Sequence, residues 1–109
     1  MDNKDKDLML EFRRSLPSDL ANHVTRLIVF GSRVRNEAAE DSDLDVIALV
    51  DEKNSVIEKR LEDIAYQIMW DHNFRPIISL KVLSEAQFSD ALSKGFSFYR
   101  HVEKEGVLV

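Results

Sequence analysis

Ten residues separate the run Val29-Phe30-Gly31-Ser32 from Asp43-Leu44-Asp45, and Arg33 follows the Gly-Ser pair directly with Arg35 two residues on. A glycine and a serine at the end of an apolar run let backbone amides and a hydroxyl come close to a phosphate group. Two acids with one residue between them on an extended segment project to the same side. Their oxygens can therefore converge on a magnesium ion that also holds phosphate oxygens. With two such metals, the attacking and leaving oxygens of an in-line displacement at phosphorus are both stabilised. Arg33 or Arg35 would neutralise the charge that develops on a departing pyrophosphate. The chemistry these residues point to is nucleotidyl transfer.

These groups work together only if the chain presents them on neighbouring elements. Val24 and the run Leu27 to Phe30 read as a buried strand ended by Gly31. Residues 36–42 are polar and form a loop, with Glu37, Glu40 and Asp41 as solvated charges. Asp43 to Val50 reads as a second strand. Leu44, Val46, Ala48 and Val50 share one face, and Asp43, Asp45, Ile47 and Leu49 share the other. Before this pair, residues 4–15 carry Leu8, Leu10 and Phe12 at helical spacing until Pro17 stops or restarts the segment. After it, Asp51 ends the strand and Asn54 or Ser55 caps a helix in which Ile57, Leu61, Ile64, Ala65, Ile68 and Met69 recur every three or four residues. Residues 76–83 predict a third strand. Ser84 and Gln87 form a capping box that opens a helix over 85–92. Gly95 breaks that helix, and a last one runs from Phe98 to Lys104 until Gly106. The order predicts an α/β (α+β) layer structure with a small twisted mixed β-sheet.

The 109 residues suffice for one core, so a single domain over 1–109 is expected. There is no cysteine, which excludes disulfides and thiolate zinc sites. The charged first fifteen residues, and the absence of a long apolar stretch, predict neither a signal peptide nor a membrane span and make the cytoplasm the expected compartment. A net charge of -5 argues against a grip on nucleic-acid backbones. His23, His72 and His101 are too scattered for a zinc pattern. Trp70, Phe74, Phe96, Phe98 and Tyr99 are able to stack on a base, with core packing or an interface as the commoner use of such residues.

The stretch FGSRVRNEAAEDSDLDVIALVD resembles the Gly-Ser, ten residues, Asp-x-Asp signature of the DNA polymerase beta-like nucleotidyltransferase superfamily. The short chain and its element order are most similar to the minimal nucleotidyltransferases, a prokaryotic branch often paired with a HEPN-domain protein. Its ending, FYRHVEKEGVLV, resembles the closing helix and strand of that branch. The resemblance implies a palm-like fold, magnesium as cofactor and ATP as donor. It makes Gly31 and Ser32 the phosphate turn, with Arg35 as the basic residue after it, and Asp43 and Asp45 the catalytic metal ligands. It also implies an acceptor hydroxyl on a partner protein, with this chain as antitoxin of a HEPN-type toxin. Active members carry a third carboxylate on a later strand. Here Ser79 matches that position and Lys81 comes next on the same face, while Asn36 stands where a glycine is common.

Two other readings stay open at this stage. One is a non-catalytic nucleotide-binding module, an antitoxin or adaptor, favoured by the neutral Ser79. The weaker other is an enzyme modifying RNA ends. With no second domain, any acceptor pocket must come from a partner or another copy of the chain, so a heteromer or homo-oligomer is expected.

Overall fold

A computed structural model of the chain describes residues 1–36 and 42–109. The predicted charges Glu37, Glu40 and Asp41 lie outside the described residues. Four strands make one sheet: β1 (Val24–Phe30), β2 (Leu44–Val50), β3 (Ile78–Ser84) and the two-residue β4 (Val107–Leu108). Among the described residues five helices accompany them: α1 (Asn3–Arg14), α2 (Ser18–Ala21), α3 (Ser55–Asp71), α4 (Glu85–Ser93) and α5 (Ser97–Glu105).

The sheet order is β3-β2-β1-β4. β1 runs antiparallel to β2 and to β4, whereas β2 and β3 are parallel. Parallel neighbours need a crossover, and α3 supplies it. The sheet is therefore mixed, with β3 at one edge, and its two longest pairings meet at β2.

Local chemistry sets the ends of the helices. Asn54 Oδ1 accepts from the Ile57 amide at 2.9 Å, which makes Asn54 the cap of α3. The Ser84–Gln87 box is present in both directions, at 3.0 and 3.2 Å. Pro17 restarts the chain as the short α2. One detail differs from the sequence pattern. In α1, Met9 is fully buried and Leu10 is exposed, because Leu8, Met9 and Phe12 fall on one side of a 3.6-residue turn and Leu10 on the other. The ending folds into α5 and the two-residue β4, the closing helix and strand that the resemblance implies.

The two faces of the sheet pack different helices. Leu27, Val29, Leu44, Val46, Ala48 and Val50 meet Leu8, Met9 and Phe12 of α1 and Ile57, Leu61, Ala65 and Ile68 of α3. On the opposite face Ile28, Ile47 and Leu49 meet Phe88 of α4 and Val102 of α5. β2 is buried on both faces from Val46 onward, as expected of a central strand covered by helices. Only its first turn of chain, around Asp43 and Asp45, opens toward solvent.

Candidate active site

The end of β1 and the start of β2 lie side by side, with Phe30 paired to Asp45. Asp45 is in turn paired to Ser79 on β3. Opposed residues share a face, so Phe30, Asp45 and Ser79 form one row on the α4–α5 side of the sheet. Asp45 is half-buried and Asp43, one residue before the strand, is exposed.

Gly31 has φ +87°, a conformation that side chains disfavour. Its missing side chain matters for a second reason: a Cβ there would lie 2.7 Å from Asp45 Oδ2. The carboxylate thus occupies the space that the glycine leaves open. From Gly31 the chain winds into successive turns, the Val34 amide donating to the Gly31 carbonyl and the Arg35 amide to the Ser32 carbonyl, each at 3.2 Å. Asn36 ends the winding at φ +58°, in the left-handed region that Asn tolerates better than most residues.

The two arginines after the Gly-Ser pair have different surroundings. Arg33 is turned inward and 9% exposed, and its Nε and Nη2 donate to the two Asp5 carboxylate oxygens at 3.0 Å each. Its Nη1 donates to the Ser42 carbonyl at 2.9 Å. This guanidinium, grouped with the phosphate ligands in the sequence, ties α1, the Gly31 turn and the residue before Asp43 together. Asp5 was not singled out by sequence, although an acid in step with Leu8, Met9 and Phe12 on the buried stripe of α1 was the available signal. Arg35 is exposed and reaches Glu105 Oε2 at 3.4 Å. It borders an open cleft beside Gly31, together with Phe30, Phe98 and His101.

Burial holds the Asp45 carboxyl above the usual aspartate range, the nearby Asp43 charge pushes it further up, and the Lys81 charge pulls it down. A half-buried acid repelled by an exposed neighbour would be relieved by a cation. Among the described residues, no group of three or more His, Cys, Asp and Glu side chains could hold a metal. Asp43 and Asp45 could therefore supply only part of a shell. That fits magnesium at nucleotide sites, which takes one or two carboxylates and completes its octahedron with phosphate oxygens and water.

Of the remaining sequence candidates, Phe98 and His101 border the cleft beside Gly31, and His23, His72 and Trp70 have other partners. His23 pairs with Asp51 at 2.8 Å and His72 with Glu11 at 2.7 Å. Trp70 stands edge-on to Phe74 at 5.9 Å and is 62% exposed, so it is not a core residue. Phe98 stacks edge-on to Phe30 at 5.5 Å beside the Asp45 row. No helix among the described residues is long and apolar enough to cross a membrane.

Comparison with known proteins gives three findings. The family model described as a nucleotidyltransferase domain matches residues 9–107. A protein of Methanocaldococcus jannaschii named "putative protein adenylyltransferase" is 32% identical over 106 residues, covering 94% of this chain and 96% of that protein. A solved structure described as a "putative nucleotidyltransferase" from Sulfolobus solfataricus covers 95% of this chain and 74% of its own, at 20% identity and a TM-score of 0.48.

Proposed function

We infer the reaction from one premise: the chain belongs to the nucleotidyltransferase domain family. Its reaction is the transfer of a nucleoside monophosphate, AMP from ATP, to a hydroxyl on a partner protein. The acceptor oxygen bonds to the α-phosphorus, the bond to the α–β bridging oxygen breaks, and its electron pair leaves with pyrophosphate. The hydroxyl proton passes to water. Magnesium, when bound, would supply positive charge against the phosphate oxygens.

The chain's own residues have distinct parts in this reading. Asp43 and Asp45 hold the cation. The Gly31–Ser32 turn brings amides and the Ser32 hydroxyl to the outer phosphates, and Arg35 meets their charge at the mouth of the cleft. Arg33 holds the turn and the approach to Asp43 in register through Asp5 and the Ser42 carbonyl. The observation that carries the reading is Asp45 Oδ2 against the open side of Gly31, which joins the proposed metal ligand and the phosphate turn in one contact. The protein acceptor agrees with the name borne by the Methanocaldococcus relative. An antitoxin role, with a HEPN-type toxin as partner, belongs to the same proposal and is carried by the likeness to the minimal branch. So does a complex or homo-oligomer that completes the acceptor pocket.

ATP labelled at its α-phosphate, incubated with magnesium and the partner, is expected to label the partner and release pyrophosphate. Label from the γ-phosphate instead, or none with the partner present, overturns the transfer. One observation favours a second reading, a nucleotide-binding module without turnover: the β3 residue paired with Asp45 is Ser79, not an acid. ATP binding without pyrophosphate release would select it.

A further inference from the structure

The edge strand β3 brings a hydroxyl and an ammonium, and no carboxylate, to the Asp45 side of the sheet. Ser79 is paired with Asp45, and Lys81 with Ile47 one step along the same face. Lys81 is exposed, yet its Nζ lies 5.4 Å from the centroid of the Phe98 ring. Phe98 belongs to α5 and rests edge-on against Phe30, the β1 residue paired with Asp45. β3 and β1 are two strand spacings apart, about 10 Å, with β2 between them. The Phe98 ring, 5.5 Å from Phe30 and 5.4 Å from the ammonium, spans the space above β2, and Lys81 faces it from the β3 side. Its charge is felt there, since it lowers the Asp45 carboxyl against burial and the Asp43 charge. No ion pair engages Lys81 among the described residues.

We propose that the Lys81 ammonium binds the α-phosphate of the nucleotide from the β3 side, where the family pattern has a third acid. The inference rests on the nucleotide-binding reading and holds whether or not transfer follows. The Gly31–Ser32 turn lies on the β1 side of Asp45 and takes the outer phosphates. A cation arriving from β3 therefore meets the opposite end of the triphosphate. An ammonium is a compact point charge with three donors, suited to a phosphate oxygen. It takes up no proton in the reaction: its charge stands against the oxygens on the α-phosphorus while the bond to pyrophosphate breaks. In this site a fixed lysine does at β3 what a metal on a third carboxylate would do.

The test is calorimetric titration of ATP and of AMP, each with magnesium and with EDTA, into wild type, Lys81→Met, Lys81→Arg and the pair Asp43→Asn, Asp45→Asn. Lys81→Met keeps an unbranched stem over Phe98, and its melting temperature reports whether the fold is intact. Loss of a charged hydrogen bond predicts that Lys81→Met weakens ATP and AMP by about 10- to 100-fold, with and without metal. Lys81→Arg, which keeps the charge, is expected to stay within a few-fold of wild type. Unchanged or tighter ATP binding in Lys81→Met, with binding lost in the double Asp variant, overturns the proposal and leaves the nucleotide site standing. In that case Lys81 only guards the sheet edge or repels the metal. A loss for ATP but not AMP overturns the α-phosphate assignment. Weak binding in Lys81→Arg as well, with an intact fold, overturns the charge as the cause. No nucleotide binding by wild type overturns both the proposal and the reading beneath it.

Discussion

Gly31→Ala should damage the site and the fold through two separable effects. The first is backbone strain: φ is +87° at this position, and an L-residue held in left-handed backbone costs about 1–2 kcal/mol. The second is a collision, because the new Cβ would sit 2.7 Å from Asp45 Oδ2, whereas ordinary contacts begin at 3.4 Å. The carboxylate must retreat by about 0.7 Å, and misplacement of a reacting group by about 1 Å can cost on the order of 100-fold in rate. The Cγ and Cβ of Asp45 lie 3.6 and 3.7 Å from the same point and do not collide, so only the carboxylate obstructs. Replacing Asp45 by Ala removes that obstruction. A double-mutant cycle of Gly31→Ala and Asp45→Ala, measured by urea denaturation, isolates the contact. Gly31→Ala alone is expected to cost more than the strain term. In the Asp45→Ala background the cost is expected to fall to about 1–2 kcal/mol, the strain that remains. Each kcal/mol is worth roughly 4–8 °C in melting temperature for a domain near this size. Strict additivity of the two substitutions would refute the contact between the turn and the carboxylate.

Breaking the buried Arg33–Asp5 pair from one side, by Arg33→Ala or Asp5→Ala, should destabilise the protein by about 3–5 kcal/mol. Urea titration checks this, and a loss below 1 kcal/mol would mean that the pair does not anchor the turn. The second test is acid. Glu85 is held below the usual glutamate range chiefly by its hydrogen bonds from Arg26, with Thr25 adding to them and burial opposing. A depressed folded pKa means that Glu85 contributes stability above its ordinary pKa, and that this is lost as pH falls through the folded value. The side chain is 35% exposed, so solvent screening limits Glu85→Gln to about 1 kcal/mol or less at neutral pH. Chemical denaturation at several pH values should show the difference from wild type vanishing in acid, and a difference that persists there would contradict the ion pair.

The elements around the site were legible because each carried its own local signal. β1 ends at a glycine, Asn54 and Ser84 are side-chain caps, and α3 repeats its apolar residues at helical spacing. The pairing of Ser79 with Asp45 agrees with the position that the family resemblance gave to Ser79, whereas β2, apolar on both faces from Val46 onward, carries no alternation of its own to fix the register. Contacts between distant segments were not legible. Nothing local to Arg33 says that it turns inward to Asp5, 28 residues earlier in the chain, instead of outward like Arg35. Likewise Lys81 reads as a solvated edge lysine until α5 is seen to place Phe98 beneath its ammonium. The closing strand was legible through the family resemblance, but its place in the sheet was not: the Val109 amide donates to the Leu27 carbonyl at 3.0 Å, and Val107 and Leu108 pair with β1.

The assignment of Asp43 and Asp45 as the pair that holds a metal-bound nucleotide is the centre of the proposed function. Its most direct test is titration of ATP with magnesium into wild type and into the double variant Asp43→Asn, Asp45→Asn. The fold holds the Asp45 pKa above its unfolded value, so ionised Asp45 costs the ligand-free protein stability at neutral pH, and Asp45→Asn should melt no lower than wild type. A melting temperature measured on the double variant separates lost binding from unfolding. Magnesium-dependent binding in wild type that disappears in a variant of undiminished melting temperature is the expected result. Equal binding by the two proteins would contradict the assignment.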